Sequence, residues 1–537
     1  MSLFASLAAQ AAPGEAQRLL KQDIDRRDQE RRDRRWEEAH GSTEVPSAPV
    51  TEEAPAAATG PCFPVQQIRL QPDHILNSRR TASILAAWSG RCLHAAELAG
   101  LQEALNAEAL AEGLVTTRVV VPEQNLASGE LLLTVWPGHV ESLRAYSLQR
   151  MELAFATPVK PGDLLQLRAL EQTVDNLNRL ASFKASMELQ PGQQPGSSLV
   201  DINVMRMSPW QAGIAWQSEA LNAEEPTNNL RANLTLDSPL KLADRFIIGL
   251  NANLKDMQVD DANGGSIDYD LPFGWWRISL GADRFDYENE LVAGITHFRA
   301  TGESRSWRAE ASRNIYRDAS RRLSLALHHK QRISDNYIDG VTVGVSSYRV
   351  EATGLRSDLS LIAYPWIFDA TLDLEAGAAV SPARYSPYDA DYSRFLLSSR
   401  LQYQFDRLNL SAAINGQWSS DLLAVSEQFS LTGQVAGFSP LSINTNTGIS
   451  TRFEAAYPIL LRQYGFTQIR PTAALNWAMG PDQSPAKEKQ QLSSLSMGAV
   501  LPWKNAVMQL NASLPLSSGD IEEPQSWQLD ASLSLQW

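Results

Sequence analysis

Apolar and polar residues change rhythm along this chain. At its end Trp527, Leu529, Ala531, Leu533, Leu535 and Trp537 fall on one face, and Gln528, Asp530, Ser532, Ser534 and Gln536 on the other. Period two predicts a β-strand. The alternation returns at Leu230, Ala232, Leu234 and Leu236, at Ile248, Leu250, Ala252 and Leu254, and at Leu323, Leu325 and Leu327. From Ser208 onward no helical period remains. Upstream the spacing is three or four: Leu98, Leu101 and Leu105 mark a helix closed by Gly113. Leu167, Leu170, Val174, Leu177 and Leu180 mark another, with Asp163 as its expected N-cap. Two strands follow each helix, at 118–121 and 130–135, then at 184–189 and 199–204 around a turn containing Pro191, Gly192, Pro195 and Gly196. With a first strand at 65–70, the segments 62–137 and 138–208 read as two small α/β repeats.

The front of the chain differs. Residues 13–40 carry acidic and basic side chains in nearly every turn, including the four-apart pairs Asp23 and Arg27, Asp28 and Arg32, and Glu30 and Arg34. Such pairs each support a helix by about 0.3 kcal/mol. The large apolar residues there are Leu19, Leu20, Ile24 and Trp36. This helix must therefore be solvated or lie in a polar cavity. Residues 41–61, with Pro46, Pro49, Pro55 and Pro61, read as a flexible tether. Residues 1–12 look like the tail of a signal peptide with Ala9, Gln10 and Ala11 near a small-residue cleavage site, although a positively charged start is missing.

A net charge of −14 argues against nucleic-acid binding, which calls for a basic face. No apolar run is long enough for a membrane helix. The mean hydropathy of −0.26 does not count against a β-barrel, because only alternate strand residues meet lipid. Cys62 and Cys92 read as one disulfide in an oxidising compartment, with two buried thiols as the alternative. The closing strand resembles the C-terminal signal of bacterial outer-membrane barrels, carried by Trp527, Leu533, Leu535 and Trp537. Residues 209–537, at about ten per strand plus turns and loops, suit a barrel of about 16 strands. A soluble sandwich of this size would need two buried faces. Aromatic clusters such as Phe273, Trp275 and Trp276 suit an interfacial girdle. The expected fold is mainly β: a 16-stranded transmembrane antiparallel barrel behind a helix, a linker and two α/β domains.

Several segments in this order carry a resemblance: Leu189 to Gly192 before Pro195 to Ser198; Leu271, Pro272, Phe273, Gly274 and Trp275; and Arg313 to Arg317 before Asn336, Tyr337 and Ile338. Together with the layout they resemble the two-partner secretion transporters (TpsB type) of the haemolysin secretion and activation family, whose repeats are POTRA domains. The resemblance implies a Gram-negative outer-membrane protein with periplasmic POTRA domains. It implies a secreted exoprotein partner (adhesin, haemolysin or contact-dependent toxin), contact with lipid, biogenesis by the barrel-assembly machinery and a monomeric state. It also implies that the charged helix is a removable barrel plug. An insertase of the same superfamily and a passive channel are the alternatives.

The family's inward-folded loop ends in a Val-Arg-Gly-Phe or Val-Arg-Gly-Tyr tip, matched here by Val435, Ala436, Gly437 and Phe438. The arginine is replaced by alanine. Its family partner, the aspartate of a Phe-x-Asp-x-Gly strand motif, aligns with Ala478, beside Trp477 and before Gly480. Losing both charges together is physically coherent, because one buried charge without the other is costly. An arginine placed alone at Ala436 is expected to impair export. Client binding by β-augmentation of the repeats assigns candidate roles to Arg118, Val119, Val120, Val121, Leu167, Leu170, Val174, Lys184 and Met187, which must also serve the repeats' own cores. No HExxH, nucleophile elbow, phosphate loop or CxxC is present. The adjacent His328 and His329 would project to opposite strand faces. No enzyme activity, metal or cofactor is expected.

Overall fold

The computed structural model describes residues 2–40, 61–76, 78–223, 226–255, 258–293, 296–318, 320–344, 346–381, 390–438, 442–461, 468–481, 489–518 and 527–537. Most of the expected tether lies outside these residues.

Alternation along the C-terminal part builds a closed antiparallel barrel of 16 strands, beginning with Trp210–Glu219 and ending with Gln528–Gln536. The last strand closes the ring: Leu533 lies opposite Trp216 and Leu535 opposite Ile214. Trp537 and Ala212 exchange both backbone hydrogen bonds, at 2.9 and 3.2 Å. Leu250, Ile267, Leu327, Leu355, Leu374 and Leu510 are each more than half exposed on the outer face, where the fold places lipid. Residues of the other parity face inward and pair across strands. Arg356 meets Glu310 at 2.5 Å and Asp358 at 2.9 Å, and Arg308 meets Asp268 and Asp283. The polar face thus becomes a charged wall that neutralises itself locally.

In the first repeat, helices Arg79–Trp88 and Ala95–Ala111 accompany a sheet ordered Gln67–Gln71, Glu130–Trp136, Arg118–Val120. Leu101, Leu105, Val119, Leu131 and Leu133 are fully buried in its core. Gly113, at φ 85°, ends the second helix in a left-handed conformation. The expected first strand is split into Phe63–Val65 and Gln67–Gln71. Cys62 and Cys92 are disulfide-bonded, and Cys92 lies on a short strand, Arg91–Leu93, that pairs with Phe63–Val65 just before the second helix.

The second repeat sets Ser197–Arg206 between parallel His139–Tyr146 and antiparallel Phe183–Pro191. Asp163 is not the N-cap of the main helix. That helix is Leu167–Asn178, with Gln166 at the cap; Asp163 instead accepts from the Lys160 amide at 2.8 Å and closes the preceding turn. The Pro-Gly segment is fixed by Glu141, whose carboxylate accepts from Ser197 Oγ at 2.5 Å and the Gln193 amide at 2.8 Å. These donors hold Glu141 below the ordinary carboxylate range. A Cβ at Gly192 would overlap both Ser197 Oγ and Glu141 Oε2, so a side chain there would displace the Glu141–Ser197 hydrogen bond.

Candidate functional site

The charged N-terminal segment forms one helix, Ser2–His40, whose residues 20–40 lie inside the barrel. From Leu20 to Glu38 its axis covers about 27 Å, close to the apolar band of about 25 Å in an outer-membrane barrel. Leu20 and Ile24 are buried against Ala262, Phe285 and Tyr287. Arg27 reaches Asp283 at 3.2 Å, Asp33 reaches Arg400 at 2.7 Å and Arg35 reaches Asp358 at 3.6 Å. Trp36 is buried beside the guanidinium groups of Arg32 and Arg400, 5.8 and 5.0 Å from its ring centroid. At the repeat-facing end Glu38 accepts from Arg245 at 2.6 Å and Arg277 at 2.7 Å, and His40 lies 2.9 Å from Asp369. Of the intrahelical pairs read from sequence, Asp23 with Arg27 forms. Asp28 pairs with Arg31 instead, and Glu30 with Arg26 and Arg231. Asp28 and Glu30 thus keep partners on the helix itself, and the barrel wall adds Arg231 to Glu30 at 3.5 Å.

The second repeat docks on the mouth of the barrel through the polar side of helix Leu167–Asn178. Asn176 Nδ2 donates to Ala156 O at 2.7 Å and Gly274 O at 2.8 Å. Asp175 meets Arg317 and Arg322, Asn314 donates to Gln172 at 2.5 Å, and Arg179 donates to Ala243 O at 2.8 Å. Both faces of this helix are therefore used, the apolar one by its own sheet and the polar one by the barrel turns. The girdle expectation is corrected here: Trp275 packs against the core of the second repeat, while Phe273 and Trp276 remain exposed. Asn176→Ala is expected to weaken docking by about 1 kcal/mol, since the Gly274 carbonyl on the barrel turn loses its donor, the Ala156 bond lying within the repeat itself. Faster protease cleavage between repeat and barrel would register it.

The inward loop enters after strand Leu408–Trp418 and returns at Gly448–Ala456. Its tip carries no charge. Val435 and Phe438 are buried with Phe429, Leu431, Ala478 and Leu492 in an apolar cluster. Gly437, at φ 96°, lies so close to strand Ala506–Ser517 that an added Cβ would stand 3.2 Å from Ser513 Cβ. Ala436 is half-buried. On the strand expected to face the tip, Ala478 is fully buried in that cluster. A side chain at Gly480 would strike Thr445 and Thr447 O on the returning limb. Trp477 has the opposite parity and does not join the tip cluster. Inward-pointing Asn476, fully buried, accepts from Arg452 at 3.0 Å and donates to Ser494 and Ser496 at 3.2 and 3.0 Å.

The loop's charged contact lies nearer its root and was not anticipated from the sequence. Glu427 is 1% exposed and meets Lys330 at 2.7 Å, Arg332 at 3.0 Å and Arg394 at 2.6 Å. A lone glutamate among serines and leucines gives no pattern to read; its partners sit on strands about 30 and 100 positions away.

The client candidates divide. Arg118 and Lys184 are exposed, on strands that form sheet edges. Val119 and Leu170 are fully buried in their domain cores, and Val121, Val174 and Met187 pack partly buried against them. Leu167 is half-buried at the start of its helix. His328 and His329 do project apart, towards Asp373 at 2.9 Å and Thr353 at 2.9 Å.

A closed barrel with a helix threaded through its lumen, a loop folded inward and two α/β domains at one mouth defines an outer-membrane transporter with periplasmic domains. The description "Haemolysin secretion/activation protein ShlB/FhaC/HecB" matches residues 196–501, and two POTRA-domain descriptions match 63–138 and 139–191. The chain belongs to this haemolysin secretion/activation family. It is 25% identical over 408 residues to the outer membrane transporter CdiB of Dickeya dadantii, covering 74% of this chain and 73% of that protein. It is 25% identical over 464 residues to the haemolysin transporter protein ShlB of Serratia marcescens, covering 84% and 82%. The solved structure of CdiB from Escherichia coli superposes with a TM-score of 0.85 at 23% identity, over 96% of this chain and 98% of that one, and so shares the fold.

Proposed function

We propose that this transporter captures an unfolded exoprotein in the periplasm with its POTRA domains and passes it through the barrel to the cell surface. The observation that carries this reading is the way the lumen is filled. The helix crosses it through ion pairs to the wall, and its C-terminal end, at Glu38, lies at the mouth where the second repeat docks. A folded core would be sealed by apolar packing; this filling is built from contacts that water and a passing polar chain can replace.

Capture fits the sheet edges. Among the described residues no strand covers the outer edge of Arg118–Val120 or of Phe183–Pro191. Asn106 occupies the first edge at Val119 and Asn178 the second at Ala185. The rest of the longer strand, beyond Ala185, is therefore the edge that suits main-chain pairing with an extended client. Exposed Arg118 and Lys184 are the better candidates for client contact, because Val119 and Leu170 are committed to the domain cores. Folding of the client outside the cell supplies the direction of transport, and no catalytic residue is needed. The protein acts as a monomer inserted by the barrel-assembly machinery.

Export decides between this reading and its rivals. The large exoprotein encoded beside the gene is followed into the medium of a heterologous host, with and without this chain. Client outside only when the chain is present supports secretion. Client held in the periplasm beside a correctly inserted barrel favours the insertase or channel.

A further inference from the structure

We propose that Glu427 at the root of the inward loop is the residue that holds this loop in the lumen, the loop's own tip being packed in an uncharged cluster. The inference rests on the transporter reading for its purpose but not for its geometry. Three cations from two barrel strands converge on one loop carboxylate: Lys330 and Arg332 from strand Arg321–Ile338, and Arg394 from strand Ala390–Phe405. The loop backbone is seized at the same point. Glu427 O accepts from Arg394 at 2.6 Å and from Gln417 at 2.9 Å, and the Ser426 amide donates to Tyr348 Oη at 3.3 Å.

A second carboxylate, Glu375 on the wall, shares Lys330 at 3.0 Å and Arg394 at 2.9 Å. In the contact shell three cations meet Glu427 and Glu375, with Asp283 of the wall and Asp28 of the helix also near Arg332, and Glu427 is the negative group that the loop contributes. Withdrawing the loop would take from Lys330, Arg332 and Arg394 the one carboxylate that all three contact, so the carboxylate resists withdrawal. The tip adds apolar packing but no comparable charge. The plug rests on the same root: Lys21 Nζ lies 3.5 Å from Ser426 O. Loop seating and plug seating therefore share one node.

The test is thiol labelling of the full-length protein in outer-membrane vesicles, with Val435→Cys as the reporter. Val435 is 2% exposed, and the two native cysteines are paired, so the reporter labels only when the tip leaves its seat. E427Q is expected to raise the labelling rate about tenfold or more, the consequence of removing one partner from a buried ion cluster. E427D should stay near the parent rate, and so should E375Q, which removes a wall carboxylate without touching the loop. An unchanged rate in E427Q overturns the proposal, as does an equal rise in E375Q, which would show that overall charge balance is what matters. Should E427Q fail to insert, Arg332→Gln and Lys330→Met each remove one wall cation. A rise in either supports the proposal, and no rise in both refutes it. No client is present in this assay, so its result stands apart from the exoprotein assignment.

Discussion

Deleting residues 2–40 is expected to leave a barrel that conducts ions persistently in planar bilayers, where the intact chain stays closed for most of the recording. The helix occupies the lumen from Leu20, against Phe285 and Tyr287, to Glu38, at the repeat-facing mouth. Much of its hold is electrostatic and partly buried, so salt screens it less than a surface pair. Glu38 is the strongest single point, since its two oxygens each meet a different arginine. Glu38→Gln leaves Arg245 with Asp270 at 2.9 Å but takes the carboxylate from Arg277. Arg277 is partly exposed and can turn to water, so the loss costs about 1.5 kcal/mol, about tenfold in the seated-to-released ratio. The open fraction should rise accordingly in E38Q and reach its limit in the deletion. A deletion variant that remains closed would show that the inward loop seals the lumen alone.

The second large effect concerns the tip. Ala478→Asp is expected to unseat the loop and suppress export, because it places a carboxylate in a cluster of Phe429, Leu431, Val435, Phe438 and Leu492. An unpaired buried charge costs about 3–5 kcal/mol. Ala436→Arg alone should also lower export, since the described tip cluster offers no carboxylate at that depth. Combined, the two restore the charge pair expected from the family pattern, and export should recover beyond the worse single variant. A double variant no better than either single one would mean that Ala436 and Ala478 do not occupy corresponding positions. Barrel folding, read from the heat-dependent gel shift, separates loss of seating from loss of insertion.

The barrel was legible because membrane strands obey a local rule: each alternate residue must tolerate lipid, and that requirement is written every second position. The closing strand ending at Trp537 and the apolar row including Leu323, Leu325 and Leu327 needed no partner to be recognised. The two repeats were legible through helical spacing and paired strands, with errors confined to boundaries. Asp163 has the chemistry of a cap, but the chain spends it on the turn to Lys160. Phe273, Trp275 and Trp276 look alike in sequence, yet the docking of the second repeat packs Trp275 against its core and sets Phe273 edge-on to Phe155.

Charge partners were the part that sequence could not give. Asp28 and Arg32 have ideal helical spacing, and still Asp28 takes Arg31. Asn176 reads as a solvated polar residue until the barrel turn at Gly274 comes against it. Glu427 has no local signal at all, and its cations reach it across the lumen. By itself the sequence determined strand period, helix faces, domain order and the absence of charge at the loop tip, because these depend on neighbours within a few residues. Which charges of the helix and loop meet which charges of the wall, and where the loop is held, was decided by tertiary structure alone, because closing the barrel brings together side chains that the chain keeps far apart.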